Sequence, residues 1–257
     1  MLIAGTPEFM LCMLVMMRMS GFVLLNPILG RRSIPGVARV GFTMVLTLIV
    51  FQTQAGVDLE ISSPITFGFL MIKEFVLGFA LGFILQLYEF IFTSAGAIMD
   101  FSMGLSMATV YDPGNRTQNA LTGTILQIYF MLLFFAVDGH LALMNIIVRS
   151  SDIVPYGQAA LGPMATEAVI DVFCNCVVLG LKLAFPLLAI EFVSELAIGV
   201  MMKMVPQINV FILSIQLKII IGITLLMLFL SPIGDYITDR IDEMLKTAEW
   251  ILTLAVQ

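Results

Sequence analysis

The chain has 257 residues, of which 60% are hydrophobic and 12% charged, with a net charge of -6 and a mean hydropathy of +1.06. A soluble domain carries about 25% charged residues, so this chain has too little polar surface to cover a water-soluble globule. The composition excludes a soluble enzyme and a disordered protein, and the 12 basic residues provide no basic face for nucleic acid. We therefore expect an all-α, polytopic integral membrane protein.

Long apolar segments predict about six main helices, several of them broken. The segments are residues 9–29, 40–57, 61–88, 117–137, 169–202 and 204–230, with shorter pieces at 90–110 and 141–150. A membrane-spanning helix needs roughly 20 such residues. Turn signals rich in proline, glycine and asparagine separate the segments at 26–27, 62–64 and 112–115. After Pro232 the chain becomes charged, which predicts a solvated helical tail.

The charged loops give an ambiguous membrane orientation. Arg31, Arg32 and Arg39 favour a cytoplasmic first loop, and Asp58 with Glu60 suits the opposite side. The later loops carry no comparable bias, and the tail is acidic. Either the positive-inside rule is weak for this chain, or its helices do not cross a bilayer in the ordinary way. Both interpretations stay open.

Several charged residues lie inside otherwise apolar helical segments. They are Arg18, Lys73, Glu74, Lys182, Glu191, Glu195 and Lys218. A charge at the bilayer centre costs about 2.5–3.5 kcal/mol on insertion scales, so such residues pair with one another or face protein or water. Ion pairs between helices or subunits are the favoured interpretation, and a polar pathway or proton relay is the alternative.

The last two apolar segments predict an antiparallel helical hairpin. Its turn comprises Pro206, Gln207, Ile208 and Asn209. Glu195 is 11 residues before Pro206 and Lys218 is 11 after Gln207, so the two lie level on the paired helices. Glu191 lies one turn further from the apex on the face of Glu195. We predict that Lys218 forms a buried ion pair with Glu195 or Glu191, within the chain or with a neighbouring hairpin.

Methionine is abundant, with 19 residues, and three methionines form one helical stripe. Met99, Met103 and Met107 recur at every fourth position. Their flexible thioethers suit a surface that deforms around a moving ligand, such as the lining of a lumen, and they suit ordinary core filling equally well. Gly78 and Gly82 form a small-xxx-small pair, which indicates close packing between helices.

The sequence contains no recognisable catalytic set. It lacks a nucleophile elbow, a Walker loop and a dinucleotide-binding glycine fingerprint. Cys12, Cys174 and Cys176 lie in apolar runs, and the single His140 cannot complete a zinc site with them. We expect no catalytic residue, no metal and no cofactor.

Three motifs carry a resemblance that extends over nearly the whole chain. They read LLNPILGRRSIPGVARVGF at 24–42, MDFSMGLSMATVYDPGNRTQN at 99–119 and FFAVDGHLALMN at 134–145. In this order and spacing they resemble the FliR/SpaR-type family of the bacterial flagellar export apparatus. The C-terminal part is similar to the small export protein FliQ, through the 207–209 turn and Lys218. The resemblance implies a FliP-like helical part at 1–170, a FliQ-like helical hairpin at 171–234 and a charged helical tail at 235–257.

The resemblance also implies a function. Members of the family pack with FliP- and FliQ-type subunits, and with an FlhB-type subunit, into a helical hetero-oligomeric gate. That gate lies in the bacterial inner membrane at the flagellar basal body, in contact with membrane lipid, and passes unfolded exported proteins. An injectisome export-gate subunit is the alternative, followed by a secondary transporter with discontinuous helices and by an assembly factor without a pore role.

A plug-like loop of the family maps by position to residues 107–123. Its expected gate residues are Met107, Tyr111, Asp112, Pro113, Gly114, Asn115 and Arg116. This polar turn interrupts two apolar segments, and loops carry function more often than the elements that they connect. We expect it to project into the lumen and narrow it.

Deleting residues 110–116 should therefore raise ion leakage through the assembled complex. The measurement is ion flux across membranes that contain the complex, with exported protein followed in parallel. Unchanged leakage together with normal secretion would reduce the segment to a plain connector.

Overall fold

The computed structural model describes residues 7–28, 30, 34–54, 63–105, 120–160, 162–204 and 210–255, with the backbone alone for 210–213. These residues form eight helices and no strand, which confirms the all-α prediction. The helices are α1 (Pro7–Leu25), α2 (Gly36–Thr53), α3 (Pro64–Met103), α4 (Leu121–Ala136), α5 (Gly139–Val148), α6 (Ser150–Ile153), α7 (Pro163–Met204) and α8 (Val210–Leu254).

Among the described helices, five are long and apolar enough to cross a membrane, or six if the broken pair α4 and α5 counts as one span. This confirms the prediction of a polytopic membrane protein. Helices α1 and α2 have 19 and 18 residues and match one bilayer. Helices α3, α7 and α8 have 40, 42 and 45 residues. At a rise of 1.5 Å per residue they extend about 60–68 Å, roughly twice the hydrocarbon thickness.

Helix α3 is continuous where the sequence predicted two pieces separated near residue 89. Glu89 lies inside the continuous helix, and its carboxylate accepts a hydrogen bond from the Gln127 side chain on α4. Prolines likewise do not end the two longest helices. Pro186 lies inside α7 and Pro232 inside α8. The charged tail is therefore the C-terminal end of α8 and not a separate helix.

The chain divides into two compact units. Unit 1 comprises Met1–Leu87, Asp138–Phe173 and Asp242–Gln257, and unit 2 comprises Tyr88–Val137 and Cys174–Ile241. These boundaries follow from contacts within the chain. The predicted parts at 1–170, 171–234 and 235–257 follow from resemblance to other proteins, and that division stays a prediction.

In unit 1, glycines bring α1 and α3 into backbone contact. A Cβ atom on Gly78 would strike the backbone oxygen of Arg18, and one on Gly82 would lie 2.7 Å from the backbone oxygen of Phe22. Gly21 on α1 makes the corresponding close contact with α3, since a Cβ there would strike the backbone oxygen of Phe75. The small-xxx-small pair therefore forms the face of α3 that receives α1.

This close approach places a buried ion pair between the same two helices. The side chains of Arg18 and Glu74 are 1% and 0% exposed, and the Arg18 Nε atom lies 2.6 Å from Glu74 Oε2. The second carboxylate oxygen, Oε1, accepts a hydrogen bond of 2.9 Å from the backbone N–H of Gly157. Both oxygens of the buried carboxylate therefore have partners.

The guanidinium of Arg18 has further partners in unit 1. Nη1 donates to Ser150 Oγ at 3.2 Å, and Nη2 donates to the backbone oxygen of Val154 at 2.9 Å. The ring of Tyr156 lies beneath it, 4.2 Å from the guanidinium carbon to the ring centroid. Burial raises the pKa of Tyr156 to about 12, against a smaller lowering of that pKa by the Arg18 charge. Its ring therefore stays neutral at physiological pH, which suits a cation–π contact.

In unit 2, two tyrosine hydroxyls connect neighbouring helices. Tyr129 on α4 donates to the backbone oxygen of Leu230 on α8 at 3.4 Å. Tyr236 on α8 donates to the backbone oxygen of Leu179 on α7 at 3.2 Å. These bonds hold α8 against both partners close to Pro232.

Replacing Arg18 with Met should destabilise the chain by about 3–5 kcal/mol, because the Glu74 carboxylate would remain buried without its counter-charge. Adding Glu74→Gln should recover part of that loss. The measurement is thermal unfolding of the purified full chain in detergent.

Tyr156→Phe is the matched control for this prediction. Its hydroxyl is buried and has no hydrogen-bond partner in the described part of the chain. Removing it keeps the ring beneath Arg18, so stability should change by less than about 0.5 kcal/mol. An Arg18→Met chain that unfolds at the wild-type temperature would contradict the assigned role.

Candidate functional site

Unit 2 contains an open cavity of about 740 Å³ between the end of α3, the middle of α7 and the first half of α8. We call it the charged cavity. Its lining residues are Phe101, Ser102, Met103, Gly104, Leu188, Glu191, Phe192, Glu195, Ser214, Ile215 and Lys218. The three charged residues that the sequence predicted to interact therefore meet at one cavity.

Lys218 and Glu195 contact each other across the hairpin helices. Lys218 Nζ lies 3.1 Å from Glu195 Oε1, and the two side chains are 18% and 62% exposed. Lys218 and Glu195 therefore lie level on the two helices, as their equal distances in sequence from the turn predicted. The predicted burial is absent at Glu195, because no described residue covers the face of α7 that carries it. An ion pair this exposed contributes at most about 1 kcal/mol.

Glu191 lies deeper, at 2% exposure, and is incompletely satisfied. The hydroxyl of Ser194, one turn along α7, donates to the backbone oxygen of Glu191 at 2.7 Å and is 3.4 Å from Glu191 Oε2. The other carboxylate oxygen, Oε1, has no hydrogen-bond partner among the described residues. It faces α8 where Gly222 leaves room, since a Cβ there would lie 3.2 Å from it. The cavity thus contains one buried acceptor without a donor.

Two of the three stripe methionines, Met99 and Met103, are part of the core of unit 2. Met99 and Met103 are 2% and 0% exposed. The thioether of Met103 occupies the space beside Gly222, where a Cβ atom would collide with it. This placement favours core filling over a lumen lining for these two residues. Met107 lies outside the described residues.

Sequence reasoning missed a polar contact between α3 and α4. The carboxylate of Asp100 is buried and accepts hydrogen bonds from both the hydroxyl and the backbone N–H of Thr122, the latter at 3.2 Å. Thr122 belongs to the first turn of α4, whose N–H groups have no partner within the helix. Asp100 therefore caps α4 from the preceding helix. The sequence feature that could have indicated this cap is a carboxylate in an apolar run close to the end of a predicted helix.

The helices that flank the expected gate segment also touch directly. A Cβ atom on Gly96 of α3 would overlap the backbone of Gly123 on α4. Gly123, which the resemblance placed at the end of the plug-like loop, lies inside helix α4. The gate residues Met107, Tyr111 and 112–116 lie outside the described residues, and so does the hairpin turn at 206–209. Their roles stay predictions.

The chemistry available at the charged cavity is electrostatic. It brings together two carboxylates, one ammonium group and the hydroxyls of Ser102 and Ser214. Elsewhere in the described ranges, no three His, Cys, Asp or Glu side chains lie close enough together to hold a metal ion. The arrangement suits recognition of a complementary polar surface.

These features define a class: a helical membrane protein whose longest helices exceed the bilayer and carry charges into an open cavity. The chain belongs to the family described as bacterial export proteins, family 1, with a match that extends over residues 9–244. This confirms the resemblance identified in the sequence.

Individual relatives are similar over almost their whole length. The flagellar biosynthetic protein FliR of Escherichia coli K12 is 29% identical over 237 residues, covering 90% of this chain and 89% of that protein. FliR of Bacillus subtilis 168 is 30% identical over 246 residues, or 94% of each chain. The Yop proteins translocation protein T of Yersinia pestis is 29% identical over 228 residues, covering 87% of this chain and 83% of that protein.

In the chain by itself, Lys218→Met and Glu195→Gln should each lower the free energy of unfolding by less than about 1 kcal/mol, because the pair is exposed. Glu191→Gln should leave stability unchanged or raise it, since an amide costs less to bury than an unpaired carboxylate. Thermal unfolding in detergent measures all three. A large loss with Glu191→Gln would mean that its charge already has a partner inside the chain.

Proposed function

We propose that this chain is a structural, non-enzymatic subunit of the export gate of a flagellar type III secretion apparatus. It lies in the bacterial inner membrane at the flagellar basal body and serves flagellum assembly. With FliP- and FliQ-type subunits, and in contact with an FlhB-type subunit, it forms a channel for unfolded flagellar proteins. The observation that carries the proposal is its similarity to flagellar FliR proteins over about nine-tenths of both chains.

The lengths of the helices support an assembled gate. A helix of about 60 Å would have to tilt by about 60° to fit a hydrocarbon layer of about 30 Å, well beyond the usual range of membrane helices. Parts of α3, α7 and α8 therefore need protein surroundings outside the lipid core. A stack of similar helices from neighbouring subunits supplies such surroundings.

The unburied apolar surface supports the same conclusion. Only 17% of the most apolar stretch of α8 is buried within the chain. Large apolar side chains on α7 and α8 remain exposed, including Phe185, Phe192, Val193, Met227 and Leu228. An exposed apolar face that continues beyond the bilayer is typical of a protein interface.

The charged cavity fits this interface. Glu195 is accessible at its mouth, and Glu191 presents an unpartnered oxygen inside it. A neighbouring hairpin that covers this face would bury the Lys218–Glu195 pair. The pair then changes from an exposed ion pair to a buried one, in which the loss of one partner costs about 3–5 kcal/mol.

The test is to purify the full chain alone and together with FliP- and FliQ-type subunits. We expect aggregated or heterogeneous material from the chain alone and a monodisperse complex from the set. Lys218→Met should lower the yield of complex, and adding Glu195→Gln should recover part of it. A monodisperse monomer that never enters a complex would favour the secondary transporter.

The similarity to the Yersinia translocation protein keeps a second candidate, an injectisome export-gate subunit, since its 29% identity equals that of the Escherichia coli flagellar protein. The two candidate functions can be separated by complementation, because each predicts rescue of a different mutant. Expression of this chain in a flagellar mutant without FliR should restore motility. Restored Yop secretion in a mutant without the translocation protein, with no gain of motility, would favour the injectisome.

A further inference from the structure

A groove of about 380 Å³ runs between α1 and α2 in unit 1. We call it the α1–α2 groove. Its lining residues are Met16, Ser20, Val23, Leu24, Gly36, Arg39, Val40, Thr43 and Met44. Its volume falls in the range of small-molecule sites. One cation and no carboxylate stand among these described lining residues.

The walls of the groove are apolar and open. Leu24, Val40 and Met44 are 52%, 58% and 55% exposed. Helix α2 is only 22% buried over its apolar window. With 18 residues it extends about 27 Å, close to the thickness of the hydrocarbon core. Unlike the three long helices, α2 fits one bilayer, so its exposed apolar face suits lipid tails.

Arg39 belongs to the first turn of α2, the end that would lie near the lipid headgroups if α2 spans a bilayer. It lies three residues after Gly36, in the first turn of α2, about 4.5 Å along the helix from its start. The N-terminus of α2 carries no side-chain cap, because Pro35 occupies the N-cap position. The helix dipole adds positive potential at this end, beside the guanidinium.

The guanidinium of Arg39 is not satisfied within the described part of unit 1. Its Nε atom is buried and has no hydrogen-bond partner there. The two hydroxyls in the groove donate to their own helices, Ser20 to the backbone oxygen of Met17 and Thr43 to that of Arg39, each at 2.9 Å. Arg39 is thus a donor that lacks an anion, at the end of an apolar groove.

We propose that the α1–α2 groove binds an acidic phospholipid. The headgroup phosphate accepts two parallel hydrogen bonds from the Arg39 guanidinium, and one acyl chain lies along Leu24, Val40 and Met44. A zwitterionic headgroup fits less well, because no carboxylate lines the groove to receive its ammonium group. The proposal needs only a bilayer around α1 and α2, so it is independent of the proposed function.

The test uses the full chain in lipid nanodiscs that contain a trace of a phospholipid with a photoreactive acyl chain. The probes are phosphatidylglycerol and phosphatidylcholine, with peptides mapped by mass spectrometry after illumination. Phosphatidylglycerol should label peptides that contain residues 16–24 and 36–44 about tenfold more than phosphatidylcholine, as expected for a charge-assisted phosphate contact.

Variants identify the source of that preference. Arg39→Gln should reduce the phosphatidylglycerol label about tenfold, to the level of phosphatidylcholine, while Arg39→Lys retains part of it. The matched control is Arg149→Gln, which removes an exposed arginine at the end of α5 and should leave the label unchanged. Met44→Trp should fill the groove and reduce labelling by both lipids.

Two results would overturn the proposal. One is equal labelling by both probes that Arg39→Gln does not change. The other appears in the chain purified with its export-gate neighbours: a photoreactive residue at position 44 that crosslinks to another subunit instead of lipid would make the groove a protein interface.

Discussion

Arg18 and Glu74 set the constraint on which unit 1 depends, because a charge removed from water needs a partner at every polar atom. The two side chains lie between apolar helices at almost zero exposure. Their other polar atoms form hydrogen bonds with Ser150, Val154 and Gly157. One ion pair therefore fixes α1 and α3 against α6 and the segment that follows it. The glycine contacts of α3 make this possible, since larger side chains would hold the helices too far apart.

In the charged cavity of unit 2, not every buried polar atom has a partner. Lys218 and Glu195 meet at an exposed mouth, and Glu191 keeps one oxygen without a donor. In unit 1 the chain supplies every partner of its buried ion pair. In unit 2 the described residues supply no donor to that oxygen of Glu191.

Helix length gives the second physical limit. Two helices match one bilayer, whereas three have at least 40 residues and exceed it about twofold. Lipid therefore satisfies only part of the apolar surface, and protein contacts satisfy the rest. Membership of a bacterial export family is consistent with both requirements, because an assembled gate offers protein surroundings above and around the membrane.

Local patterns determined much of this protein. Composition alone indicated a helical membrane protein, three motifs identified its family, and equal spacing about the hairpin turn placed Lys218 level with Glu195. These inferences succeed because apolar periodicity and turn chemistry act over a few residues. Pro232 does not end α8, so the charged residues that follow it continue the same helix.

Only the tertiary structure showed which side chains far apart in sequence are partners. Arg18 and Glu74 are 56 positions apart, and the carboxylate of Glu89 finds its donor in Gln127, 38 positions away. Neither partner can be read from local sequence, because many charges and amides compete for each role. The burial of Met99 and Met103 and the exposure of Glu195 were decided likewise by which helix faces the described residues cover. Sequence by itself placed these charges in apolar helices, and only packing determined which of them found a partner within the chain.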